Sequence, residues 1–410
     1  MIDVPLVVTD FSSSLFSGRR LTDSDRSRTF EKARINEPLA KKLEGTMGLA
    51  EDVTSREGIR ASMEDVALKQ FLFLRNLTDP VIARFGKAGL RVLYDAFRYY
   101  GQWRGDNIRM SQASLVAGHD ALSFLDNWDS CDFVLAGIAG EISIEGNAVG
   151  AAIRLPHLPG TAYFKSHQGK LPVLHEYWKG LLRGLPAGYD EKLSLTCTEA
   201  SLDAPWSIRA SFGGAPAGKT SVADVVAGIR NIFAEPARAL ALVRNTSRNA
   251  GALYMFIARE VIRAWDATGE QIVREGVRGI GRERGSVLRE KHEREGKPLN
   301  LKTLMLDWDG PLISTWVFNG EGYLSEGTWH QDCRYCPYAD VWGEFGKEGL
   351  ALGLLYDIEL HTTMYQTYHP GTIVRWDALK TRGDHLCKFR ISIPELVSPN
   401  DPEYVRPAEG

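Results

Sequence analysis

The residues best suited to chemistry fall in one stretch, Trp329 to Ile393, which holds three of the five cysteines and four of the nine histidines. It reads W-H-Q-D-C-R-Y-C-P-Y-A-D-V-W, then a long apolar helical run, then R-G-D-H-L-C-K-F-R-I-S-I. Pro337 suits a first helical position, where a missing N–H costs nothing, so Cys336 is expected at the N-cap. A thiol there faces the positive end of the helix dipole, which favours the thiolate and so a nucleophile. Asp340 follows about one turn later on the same face. Further on, Arg382-Gly383-Asp384 predicts a turn closed by Asp384 and leading into a strand. There His385, Cys387, Phe389, Ile391 and Ile393 share one face, and Leu386, Lys388, Arg390 and Ser392 the other. With the first face inward, Cys336, Asp340, His385 and Cys387 are expected to converge as thiols, carboxylate and imidazole.

Two other chemistries compete. His330, Cys333 and Cys336 (H-x-x-C-x-x-C) with His385 and Cys387 (H-x-C) offer enough ligands for zinc, although only one paired-cysteine turn is present. No cofactor is the preferred expectation, with zinc the alternative. Gly213 to Thr220 fits the phosphate-binding pattern G-x-x-x-x-G-K-[ST]. The strand before it alternates, Ile208, Ala210 and Phe212 against Ser207, Arg209 and Ser211, whereas a phosphate-loop strand is apolar on both faces. A linker is the better reading. Cys387 among core residues also reads as a small buried apolar group, and His385 as a core histidine.

The second half resembles the L-2-amino-thiazoline-4-carboxylic acid hydrolase-like family. Cys336, Tyr338, Ala339 and Asp340 correspond to that family's C-x-Y-A-E helix start, with Asp in place of Glu. Gly383, Cys387, Phe389 and Arg390 correspond to its closing G-x-x-x-C-x-F-R hairpin, and the resemblance runs from about Met305 to Ile393. Tyr356 stands where a mid-helix cysteine is often found, and the chain is about twice the length of one such unit. The resemblance implies a cysteine-dependent hydrolase acting on a C–N or C–S bond of a small heterocyclic or amino-acid-derived metabolite. His330, Tyr338, Tyr356 and Arg390 would then bind substrate. Related α+β domains that only sense small molecules ground the alternative of a binding protein without catalysis.

Positioning these residues falls to an α+β fold in two tandem units, each with helices on an antiparallel sheet. The expected plan is an N-terminal arm over residues 1–67, a first unit over 68–220, a helical connector over 221–250, a second unit over 251–396 and a tail over 397–410. Both units run from a long helical region through short strands and a helix to two closing strands, which suggests internal duplication. Pro172 would lie opposite Pro337, Leu171 opposite Cys336, and Gly188-Tyr189-Asp190 opposite Leu355-Tyr356-Asp357. The first copy would be a scaffold and the second the working unit. Strands are also expected at Phe133 to Ala136, Thr161 to Lys165 and Leu301 to Leu306.

With 44% hydrophobic and 25% charged residues the composition is that of a globular protein. A net charge of −3 argues against a general nucleic-acid or acidic-membrane binder. No run spans a bilayer, Met1-Ile2-Asp3-Val4 lacks a basic leader, and an odd cysteine count suggests reduced thiols in a cytoplasm. The expected partner is a small-molecule substrate, and the arm is the candidate contact for a homodimer.

Overall fold

In the computed structural model, residues 56–113, 119–128, 142–197, 205–215, 220–231, 234, 236–308, 316–318 and 322–401 are described. In chain order the first part comprises α1 (Arg56–Ala113), α2 (Ala121–Asn127), β1 (Ser143–Gly146), β2 (Gly150–Leu155), α3 (Thr161–Ser166), α4 (Leu171–Tyr189), β3 (Leu193–Cys197), β4 (Trp206–Phe212) and α5 (Val222–Arg230). The second comprises α6 (Pro236–Arg294), α7 (Leu301–Leu306), β5 (Val317–Phe318), β6 (Tyr323–Leu324), β7 (Thr328–Tyr335), α8 (Pro337–Glu344), α9 (Gly346–Tyr368), β8 (Ile373–Ala378) and β9 (Cys387–Ser392). A 3₁₀ turn, Lys380–Arg382, joins β8 to β9.

The architecture is α+β. One antiparallel sheet has the order β1-β2-β4-β3; the other has β5-β7-β9-β8, with β6 also on β7. In both, a hairpin precedes the helices and a second hairpin follows them, and the last strand inserts beside the second. The phosphate-loop pattern finds no matching frame. β4 is antiparallel to both neighbours, and Pro216 to Lys219 lie outside the described residues.

Two long helices carry these sheets, and each breaks once. The α1 break is at Gly86 (φ 54°), and the α6 break is at Trp265 and Asp266 (φ 47°). The part of α1 before its break meets the part of α6 after its own: a Cβ on Gly276 would lie 2.8 Å from the Asn76 carbonyl. Conversely, Tyr100 beyond the first break packs on Phe256 before the second. Small residues allow such approach, since any side chain would collide with backbone. Gly101 and Gly105 of α1 seat α4 at Leu181 and Leu185; Gly281 and Gly285 of α6 seat α9 at Leu360 and Met364. These contacts match Tyr189 with Tyr368, not with Tyr356 as the local strings suggested. Where α9 has Asp357 and His361, α4 has Trp178 and Leu182.

Several expectations change. Residues 56–67, assigned to the arm, are the first turns of α1, where Ile59, Met63 and Val66 bury against Ala239 and Val243; residues 1–55, with the proposed dimer contact, lie outside the described residues. Thr161 to Lys165 is a helix, because Thr161 and Phe164 bury at helical spacing while Lys165 is exposed. Leu301 to Leu306 is also a helix: Asn300 caps it, its side-chain oxygen accepting from the Thr303 amide at 2.8 Å. Phe133 to Ala136 lies outside the described residues. The connector breaks at Pro236 as expected, but the chain beyond that proline already belongs to α6.

Candidate functional site

β7 carries Cys333 and delivers Cys336 to the start of α8; β9 begins at Cys387, the register partner of Cys333. Cys336 is the N-cap in an extended conformation, with Pro337 as first helical residue. The three cysteines share one cluster with Leu379, Leu354, Trp316, Trp376 and Phe389. The Cys333 thiol donates to the Tyr335 carbonyl at 3.1 Å, and the Lys380 amide points at the Cys387 sulfur at 3.4 Å.

The lowered pKa expected of Cys336 does not hold. Burial is the largest effect and pushes its thiol up; Cys387 and Asp357 nearby push the same way. The amides of Ala339 and Tyr338 do pull it down, as an N-terminal position predicts, but burial outweighs them. Burial likewise raises Cys387, to about 12, and Cys333 further still. All three are therefore neutral thiols at pH 7.

A carboxyl that sequence reasoning passed over lies beside them. Asp357 is 9% exposed, and the Thr381 hydroxyl donates to its Oδ2 at 2.7 Å. Burial raises it to about 7, against the Thr381 hydrogen bond and the charge of Arg382. One turn on, His361 Nδ1 donates to the Asp357 carbonyl at 2.8 Å, which leaves Nε2 with its lone pair. Burial lowers this imidazole to about 4, so it is neutral. The available signal was two polar residues one turn apart within an apolar helical run.

Other predicted site residues lie elsewhere. The Asp340 carboxylate accepts from Arg248 of α6, whose guanidinium also holds Glu344. His385 is exposed in the turn before β9, outside the cysteine cluster; Asp384 closes that turn by accepting from the Leu379 amide at 2.8 Å. His330 is opposite Arg390 in register, and Arg390 engages Asp332 and Asp377 at 3.1 and 3.0 Å. By strand alternation His330 projects from the face of β7 opposite Cys333. The alternative zinc set is thus divided between two faces and an exposed turn. Among the described residues no group of three His, Cys, Asp or Glu is arranged to hold a metal ion.

Tyr338 and Tyr356 do stand near Cys336. They pack edge-on at 5.9 Å, with Trp342 and, from α1, Phe73 against both. One turn on from Asp357, His361 is ringed by Tyr365, Trp376 and Phe389. Among the described residues, the Tyr356 hydroxyl and the indole N–H groups of Trp329 and Trp376 are buried without a hydrogen-bond partner.

The chain is thus an α+β protein of two units, with a cluster of thiols beside a buried carboxyl in the second. Residues 246–391 match the family model of L-2-amino-thiazoline-4-carboxylic acid hydrolase. The match runs from early α6 into β9 and includes Cys336, Asp357, Thr381 and Cys387. No curated protein and no solved structure matches the chain. No helix among the described residues is long and apolar enough to cross a membrane.

Proposed function

We propose that this protein is a cysteine-dependent hydrolase that opens a C–N or C–S bond of a small heterocyclic or amino-acid-derived compound in its second unit. The observation that carries this reading is the meeting of Cys336 and Cys387 with a buried carboxyl at the start of α8, inside the segment matched to a hydrolase family. Cys336 is the nucleophile: it alone of the three sulfurs sits at a helix start, where the Tyr338 and Ala339 amides favour negative charge. The aromatic walls suit a flat ring, and the unpartnered donors of Tyr356, Trp329 and Trp376 suit its acceptor atoms. The first unit is a second copy turned scaffold, supported by its equal strand order and by Trp178 and Leu182 in the places of Asp357 and His361.

The test is incubation with L-2-amino-thiazoline-4-carboxylate and related sulfur and nitrogen heterocycles, with ring opening followed by mass spectrometry. Wild type should turn over at least one of them. Cys336→Ala should lose turnover while keeping its melting temperature. Full activity in that variant would remove the nucleophile from the reaction.

A further inference from the structure

A neutral thiol must lose its proton before it can attack, and the carboxylate and imidazole expected to converge on Cys336 are placed elsewhere. Asp340 is held by Arg248, and His385 is exposed. Asp357 is buried beside the cysteines, on the face of α9 that packs over the 3₁₀ turn. Gly353, one turn earlier, approaches Thr381 so closely that a Cβ would lie 2.7 Å from its methyl group. The same turn donates Thr381 Oγ1 to Asp357 and the Lys380 amide to Cys387, so this carboxyl and the Cys387 sulfur are fixed to one piece of backbone, and Cys336 packs in the same cluster as Cys387. The groups facing Asp357 are Cys336 and Cys387 from the sheet side, Thr381 and Arg382 from the turn, Tyr254 from α6 and Tyr356 from its own helix. Among the described residues it forms no ion pair, unlike Asp340, so its charge is free to change.

Resting on the reading of Cys336 as nucleophile, we propose that Asp357 is the catalytic carboxyl that takes the thiol proton and hands it to the substrate nitrogen. As the S–H bond breaks toward Asp357, sulfur bonds to the electrophilic carbon. The pair of the C=N bond moves onto nitrogen, and the carboxyl returns its proton there. Atoms and charge balance within the site, with no co-reactant in this addition step. A carboxyl that titrates near neutral pH suits both halves of the exchange.

The experiment uses the intact protein and iodoacetamide as probe, with labelling of Cys336 followed by peptide mapping from about pH 5 to about pH 9. Because thiol and carboxyl share protons, wild-type labelling should rise about tenfold per pH unit and then level off near neutral pH. Above that point the pair holds one proton, and its share on the carboxyl no longer depends on pH. Asp357→Asn should keep climbing to the alkaline end. Thr381→Val, which removes a hydrogen bond to the ionised carboxylate, should move the levelling to higher pH and guards against a misfolded Asn variant. Wild-type labelling that climbs throughout, unaffected by either change, would overturn the proposal.

With a substrate in hand, Asp357→Asn should lower kcat about 100-fold or more at a little-changed KM, and Asp357→Glu should recover part of it. Loss in Cys336→Ala with full turnover in Asp357→Asn would sink this proposal alone. Retained turnover in Cys336→Ala would instead sink the nucleophile reading.

Discussion

Phe85 and Trp265 stack face to face, with ring centroids 3.6 Å apart and planes 6° from parallel. Each immediately precedes the residue at which its long helix turns to positive φ, so the two breaks meet ring on ring. In α1 the turning residue is Gly86; in α6 it is Asp266, a residue with a Cβ in a conformation that strains it. Asp266→Gly should therefore raise stability by about 1 kcal/mol. Gly86→Ala should lower it by a similar amount, since no atom lies within 4 Å to obstruct the methyl and only the backbone objects. Urea unfolding measures both; a loss at Asp266→Gly would show that its side chain holds the break.

Asp357 and His361 make opposite demands on pH. Asp357 is raised from 3.8 to about 7, so the stability it allows is greatest below about pH 4 and is lost as pH rises to about 7. His361 is lowered from 6.5 to about 4, so its stability is present above about pH 6.5 and is lost as pH falls to about 4. The full shifts correspond to about 4 and about 3 kcal/mol, with opposite sign across nearly the same window. Their sum should be almost flat between about pH 4 and pH 6.5. Asp357→Asn should uncover a rise in stability with pH there, and His361→Leu a fall. Equal slopes in the two variants would contradict the burial of these groups.

Arg248 joins α6 to α8 through Asp340 and Glu344, and the Trp103 indole of α1 donates to Glu344 at 3.1 Å. Asp340→Asn leaves Arg248 with Glu344 and should cost about 1.5–3 kcal/mol, the worth of one hydrogen bond to a charged group. Turnover per folded molecule should hold. A collapse of kcat at unchanged melting temperature would return Asp340 to the chemistry.

The Tyr356 hydroxyl is buried and has no hydrogen-bond partner among the described residues. Tyr356→Phe should leave stability unchanged or raise it by up to about 1 kcal/mol, because the penalty of an unsatisfied donor disappears. If the hydroxyl meets substrate, KM should rise. A clear loss of stability would mean that the hydroxyl has a partner in the folded protein.

Local rules located Cys336 and Cys387 well, because a proline fixes a helix start and alternation fixes a strand face. They also ordered most elements, including Trp206 to Phe212 to the residue. They failed where a side chain is claimed from far along the chain. Asp340 looks poised one turn from Cys336 until Arg248, 92 residues away, takes it. His385 fits the inward alternation, but Gly383 at φ 98° and the Asp384 turn delay the strand to Cys387. Asp357 and His361 are marked locally only as polar residues one turn apart in an apolar run; their altered acidity comes from the sheet, the 3₁₀ turn and the other helices that bury them. Thr161 to Lys165 and Leu301 to Leu306 are too short for strand and helix periods to be told apart.

Phe73 belongs to α1, yet its ring lies against Tyr338 and Tyr356 at 5.9 and 5.6 Å. As the chain emerges from the ribosome, this ring must wait for more than 250 further residues before the aromatic walls it completes exist. Contacts so distant in sequence form late and at a high cost in loop closure. The first unit can assemble its own sheet early, with one side of its long helix still uncovered. The surroundings of Cys336 are thus completed only long after the first unit has left the ribosome.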